Sequence, residues 1–150
     1  MITASRKASS HSHRVLLVDD IHHGNLVRKV LLEDIGLAVE MALSAEAGWE
    51  MYLQAPHDLV VTDFRLPGMS GTDLIALIRE SGHPTRTILL TGLTFLGLTE
   101  ESTGADVVLW KCNKEGEQLQ RTARQLLARR PRRKPVGSEG RERASVARSG

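Results

Sequence analysis

Asp63 closes an apolar run, Leu59-Val60-Val61-Thr62, and opens a turn that runs into Leu66-Pro67-Gly68. A carboxylate placed this way can attack a phosphoryl group and form an aspartyl-phosphate. Other apolar runs also end in a reactive group. Val15-Leu16-Leu17-Val18 ends in Asp19-Asp20, Ile88-Leu89-Leu90 in Thr91, and Val107-Val108-Leu109-Trp110 in Lys111. Buried-type strands that each deliver one group at the same end lay out a site on a parallel sheet. Phosphoryl transfer spreads charge over the equatorial oxygens, so it needs positioning and cations. The Lys111 ammonium would supply one clamp and the Thr91 hydroxyl a hydrogen bond. Asp19, Asp20 and Asp63, crowded together, repel one another unless a cation intervenes. Mg²⁺, which seeks carboxylate, water and phosphate oxygens, suits that set.

Alternating elements must carry these groups. Val27, Val30 and Leu31 recur at helical spacing after Asp20, and Val39-Glu40-Met41-Ala42 reads as a short strand. Ala45, Trp49, Tyr52 and Leu53 fall on one face of a second helix. A third helix is expected from about Gly71 to Glu80, and a weak helical segment over 97–103. A last helix has Leu119, Ala123, Leu126 and Leu127 as its buried stripe and Asn113 as its expected N-cap. Alternation of this kind predicts an α/β fold, a doubly wound five-stranded parallel sheet with right-handed crossovers. In the flavodoxin-like strand order 2-1-3-4-5, adopted as a known arrangement for such chains, the crevice opens between strands 1 and 3. Asp19, Asp20 and Asp63 would meet there, flanked by Thr91 and Lys111.

The 150 residues suit one domain. Cys112 is the single cysteine, so no internal disulfide framework exists, and a reducing, cytoplasmic setting is expected. No apolar stretch approaches the roughly 20 residues of a membrane span. The net charge of +2 hides an asymmetry: residues 129–150 carry eight Lys/Arg and two Glu, residues 1–13 carry Arg6 and Lys7, and the body between is acidic. The expected organisation is a flexible arm over 1–13, a domain over 14–130 and a basic disordered tail over 131–150, too poor in apolar side chains to order itself. Arg129, Arg130, Arg132, Arg133 and Lys134 complement a helix C-terminus or make loose electrostatic contacts. No aromatic interleaving or helix-turn-helix pattern supports sequence-specific DNA binding.

As a set, VLLVDD (15–20), DLVVTDFRLPGMSG (58–71), ILLTG (88–92) and GADVVLWK (104–111) resemble the receiver domain of bacterial two-component response regulators. The resemblance implies that Asp63 is the phosphoacceptor. It also implies that Asp20, Asp63 and the backbone carbonyl of Arg65 ligate Mg²⁺, with Asp19 acting through a metal-bound water. Thr91 and Lys111 would bind phosphoryl oxygens. The implied phosphodonor is a sensor histidine kinase or histidine phosphotransfer protein. The reading is a stand-alone receiver that signals through protein contacts to a downstream target and is not an enzyme in the ordinary sense, although it would catalyse its own phosphorylation and dephosphorylation.

Departures from the family pattern set further expectations. Cys112 stands where the family usually has a proline after its lysine. A cis bond before a non-proline residue costs about 2.5–4 kcal/mol, so a trans bond and a shifted loop that moves the ammonium are expected. Val108 stands where the family usually has an aromatic switch, and Trp110 is expected to face away from it. The stretch after Thr91 predicts a short or irregular fourth helix. Competing readings are a degenerate, non-phosphorylated interaction module and a haloacid-dehalogenase-like phosphohydrolase. The latter wants a second aspartate where Arg65 stands. Taken singly, Asp19-Asp20 reads as a helix cap, His22-His23 as solvated side chains rather than metal ligands, and Cys112 as an inert thiol.

Overall fold

The computed structural model describes residues 12–92 and 97–129. The basic tail, and the N-terminal arm up to His11, lie outside the described residues. Strands β1 (Arg14–Val18), β2 (Ala38–Ala42), β3 (Leu59–Asp63), β4 (Arg86–Thr91) and β5 (Val107–Trp110) alternate with helices. The helices are α1 (His22–Glu33), α2 (Ala45–Gln54), α3 (Gly71–Ser81), α4 (Glu100–Thr103) and α5 (Glu115–Ala128). Every strand pairing is parallel and the sheet order is β2-β1-β3-β4-β5. This is the five-stranded, doubly wound sheet that the alternating pattern predicts, and α4 is the single short turn expected.

Side-chain alternation along the strands divides the core between two faces. Val15, Leu17, Val61, Ile88 and Leu90 pack with Leu32 of α1 and Leu119, Ala123 and Leu126 of α5. Leu16, Val18 and Val60 pack on the opposite face with Ala45 and Tyr52 of α2 and Leu74 and Ile78 of α3. Burying each such aliphatic side chain contributes roughly 1.5–3 kcal/mol. β3, buried at every position, carries Asp63 at its end.

Helix ends are set by local chemistry. Ser44 accepts the Ala47 N–H at the start of α2. Ser70 and Asp73 satisfy each other's backbone donors at the start of α3, and Gly82 closes that helix at φ 83°. Asn113 does not cap α5. The Glu115 N–H bonds the Cys112 carbonyl at 3.0 Å, which keeps Asn113 inside a turn. Lys114 then becomes the cap residue, without a side-chain capping bond.

The expected face of α2 holds except at its edge, and that of α1 does not. Ala45 and Tyr52 are buried with Trp49 packed against their cluster, whereas Leu53 is exposed, and α2 also buries Gly48, where an added Cβ would stand 3.0 Å from Val18 Cγ2. On α1, Val27 (48% exposed) and Val30 (60%) face outward with Leu26, whereas Asn25, Arg28 and Leu32 face the core. A helix with polar groups inside and aliphatics outside answers a demand from the neighbouring site, described below.

At the opposite end of the sheet, buried His57 bonds through Nε2 to Glu40 Oε1 at 2.7 Å, with Arg14 Nη2 3.3 Å away. Its Nδ1 has no hydrogen-bond partner among the described residues. Burial, assisted by the Arg14 charge, pushes the imidazole below its usual range and outweighs the hydrogen bond to Glu40. Asp58 adds a nearby negative charge, the Tyr52 ring stacks on the imidazole at 6.1 Å between centroids, and the Thr85 hydroxyl donates to the His57 carbonyl. Protonation would bury an unsatisfied N–H. Because the folded value is depressed, the stability that neutral His57 contributes is complete above about pH 6.5 and is lost as pH falls through the folded value. Thermal melts of the wild type should therefore fall as pH is lowered from about 7.5 to 5.5. His57→Gln should flatten that slope, and equal slopes would count against the assignment.

Candidate phosphoacceptor site

The carboxyl ends of β1, β3, β4 and β5 bring the expected residues to one cleft. Asp19 follows β1 directly and is 2% exposed, and its N–H is held by the Ala42 carbonyl at 3.2 Å. Asp63 ends β3 and is also buried, whereas Asp20 faces solvent. One oxygen from each of Asp19, Asp20 and Asp63 lies within 4.8 Å of the others. Among the described residues this is the one group of three or more carboxylate, imidazole or thiolate ligands able to hold a metal ion. His22 and His23 are exposed and outside it. The all-oxygen donor set fits Mg²⁺.

Asp19 and Asp20 are not a helix cap. The N-cap of α1 is Ile21, which makes no side-chain capping bond, and the first turn holds no acid. Asp19 Oδ1 accepts the Ile21 N–H at 3.0 Å, and this orients its carboxylate.

Lys111 leaves β5 with its N–H on the Thr91 carbonyl at 2.9 Å, and its Nζ reaches Asp63 Oδ1 at 2.5 Å. No peptide among the described residues is cis, the Lys111–Cys112 bond included. The trans bond is as expected, but the ammonium is not displaced from the site. Thr91 is buried at the end of β4, opposite Trp110 in register. Arg65 and Gly92 line the same cleft, which encloses about 580 Å³. Burial raises the Asp63 carboxyl above its usual range, outweighing the hydrogen bond and charge of Lys111.

The backbone under Asp63 is tightly packed. A Cβ added at Gly71 would lie 2.1 Å from the Asp63 carbonyl oxygen. Because the clash is with backbone, Gly71→Ala should cost about 3 kcal/mol or more. A chemical melt that shifts by less than about 1 kcal/mol would show that the turn can relax.

Val108 packs against Ile75, Leu89 and Ala105. Trp110 does not face away from it. Two residues apart on a strand, both stand on the same face, and Trp110 is half exposed.

Residue spacing alone missed Asn25, Arg28 and Glu115. Arg28 is buried, with Nη1 2.7 Å from Asp19 Oδ2 and Nε 2.5 Å from Glu115 Oε2. Burial opposes its charge, but the two carboxylates outweigh that and raise its pKa. Asn25 Nδ2 donates to the Ala42 carbonyl at 3.1 Å and reaches the Asp19 carbonyl at 3.4 Å. The available signal was the polar stripe Asn25, Arg28 at i, i+3 on a helix that starts beside two acids.

The match to known proteins agrees with this geometry. Residues 15–123 match the response regulator receiver domain family, and the chain belongs to that family. It is 36% identical over 81 residues to the probable transcriptional regulatory protein SilR of Salmonella typhimurium, covering 53% of this chain and 35% of SilR. It is 35% identical over 101 residues to the transcriptional regulatory protein QseB of Escherichia coli O157:H7, covering 65% of this chain and 46% of QseB. The chain thus spans less than half of either relative. Among solved structures it is similar to the response regulator TrrA of Thermotoga maritima in complex with Mg²⁺-BeF, at TM-score 0.69 and 27% identity, covering 76% of this chain and 98% of that one. The receiver domain protein of Clostridium thermocellum gives TM-score 0.69 and 26% identity, covering 76% and 93%. The chain is a receiver domain of the two-component type. No helix among the described residues is long and apolar enough to cross a membrane.

Proposed function

We propose that this receiver is a Mg²⁺-dependent phosphoryl switch modified on Asp63. The observation that carries the reading is the meeting of three carboxylates within 4.8 Å of one another, with the Lys111 ammonium on Asp63. Asp20, Asp63 and the Arg65 carbonyl would hold the ion directly and Asp19 through a bound water, and the ion would supply positive charge to the phosphoryl oxygens. A carboxylate oxygen of Asp63 bonds to phosphorus as the phosphorus–nitrogen bond of a phosphohistidine breaks. The imidazole leaves with the electron pair and takes up a proton. Lys111 and the Thr91 hydroxyl engage the transferred oxygens.

The donor is read as a sensor histidine kinase or phosphotransfer protein. Similarity to the sensor histidine kinase GacS of Pseudomonas protegens, 35% identical over 88 residues, supports a place in such a relay. The outward aliphatics of α1, Leu26, Val27 and Val30, with Ile21 beside the cleft, form the apolar face on which that donor docks. Output passes through contacts with a further protein. The basic segment from Arg129 onward adds electrostatic attraction to an acidic partner.

Incubation with Mg²⁺ and acetyl phosphate should add one phosphoryl mass, and chelation should prevent it. Protein that stays unmodified at millimolar donor overturns the reading. A phosphorylation-independent interaction module is the second reading, favoured by Val108, which cannot make the large movement of a ring. It requires that Mg²⁺ leave the melting temperature and Trp fluorescence unchanged.

A further inference from the structure

We propose that Arg28 is a built-in counter-cation that restrains divalent-ion affinity in the acidic cleft, and that Glu115 at the start of α5 tunes it. This rests on the reading of the cleft as a Mg²⁺ site. The guanidinium is buried between two carboxylates on different elements, Asp19 after β1 and Glu115 on α5. Both Asp19 oxygens are thereby engaged, Oδ1 by the Ile21 N–H and Oδ2 by Arg28.

The surroundings are shaped for this contact. A Cβ at Gly24 would stand 3.3 Å from Arg28 Nη1 and 3.6 Å from Asp19 Oδ2. Gly116 lets α5 approach α1 so closely that a Cβ there would meet Leu31 Cδ1 at 2.9 Å. Gln120 Nε2 donates to the Leu31 carbonyl at 2.8 Å and fixes the same two helices. The arrangement accounts for the inverted face of α1: the helix turns its aliphatics outward because Asp19 requires a cation inside.

A fixed positive charge beside a metal ligand offsets part of the field that attracts the ion. Glu115 draws on the same guanidinium, so it moderates that restraint and links cleft occupancy to the first turn of α5. Glu115 is a positioning residue that acts through Arg28.

The test is calorimetric titration of MgCl₂ into the full chain with no phosphodonor present. Arg28→Met should bind Mg²⁺ about tenfold more tightly, and Mg²⁺ should raise its melting temperature more than the wild type's. Glu115→Gln should bind about two- to threefold more weakly, and that loss should shrink in the Arg28→Met background. Arg28→Lys keeps the charge but cannot bridge Asp19 and Glu115 with two nitrogens, so its Mg²⁺ affinity should fall between those of wild type and Arg28→Met. A folded Arg28→Met that binds Mg²⁺ no more tightly overturns the proposal. If Arg28→Met does not fold, Glu115→Gln decides alone, and unchanged or tighter binding overturns it. A wild type that takes up no Mg²⁺ removes both this inference and the proposed function. Wild-type binding with unmoved variants removes only this one.

Discussion

Asp63→Asn will end phosphoryl acceptance, by at least about 10³-fold, the scale of losing a nucleophile, while the protein stays folded. The amide keeps the shape of the side chain at the end of β3 but has no charge to bring to phosphorus. It also removes one of three like charges converging in the cleft. Burial already holds the Asp63 carboxyl above its usual range despite Lys111. The ionised form is therefore disfavoured in the fold, so stability falls as pH rises through the raised value. With metal chelated, Asp63→Asn should melt no lower than wild type at neutral pH, even though Lys111 loses its partner. Intact-mass kinetics with Mg²⁺ and acetyl phosphate measure the first effect and calorimetry the second. Labelling of the variant at the wild-type rate would move the acceptor to another carboxylate, with Asp20, the exposed member, the first candidate.

Why the site was legible in sequence follows from the sheet. A parallel strand buried on both faces must be a short apolar run, and the residue after it is the first free to be polar. Asp19, Asp63 and Thr91 each sit at such a boundary, Lys111 follows the half-buried apolar run of edge strand β5, and parallel register brings these ends together. The faces of the helices were harder. Periodicity in α1 offers two stripes, one aliphatic through Leu26, Val27 and Val30 and one through Asn25, Arg28 and Leu32, and hydrophobicity alone selects the wrong one. The buried Asp19 carboxylate decides it, because an unpaired buried charge costs more than exposing a few aliphatics. In α2 only Leu53 was misassigned: Ala45 and Tyr52 of the same stripe are buried, and Gly48, close on Val18, joins them at the buried face in place of Leu53. The N-terminus of α5 depended on a turn closed by the Cys112 carbonyl, and side-chain type says little about such a bond.

Lys111 separates two effects that chemistry and metal binding would otherwise blur. Its Nζ lies 2.5 Å from Asp63 Oδ1, so the ammonium stabilises the Asp63 charge and, on the proposed reading, competes for an oxygen that a bound ion would take. Lys111→Met keeps the aliphatic stem and removes the charge. The side chain is 30% exposed, so little cavity opens, but buried Asp63 is left without its cation, and the melting temperature in chelator should fall at a pH where Asp63 is ionised. Mg²⁺ should bind more tightly, by roughly threefold to tenfold, because one competing cation is gone. Phosphorylation by acetyl phosphate at saturating Mg²⁺ should nevertheless slow by about 10²–10³-fold, the usual loss when one charge-stabilising donor is removed from a transition state. Tighter metal binding combined with slower chemistry is the signature of a clamp on the transferring group. A surface lysine that merely pairs with a carboxylate would move the first quantity and leave the second alone. Rates measured across Mg²⁺ concentrations distinguish the two, and an unchanged saturating rate would strip Lys111 of its role in transfer.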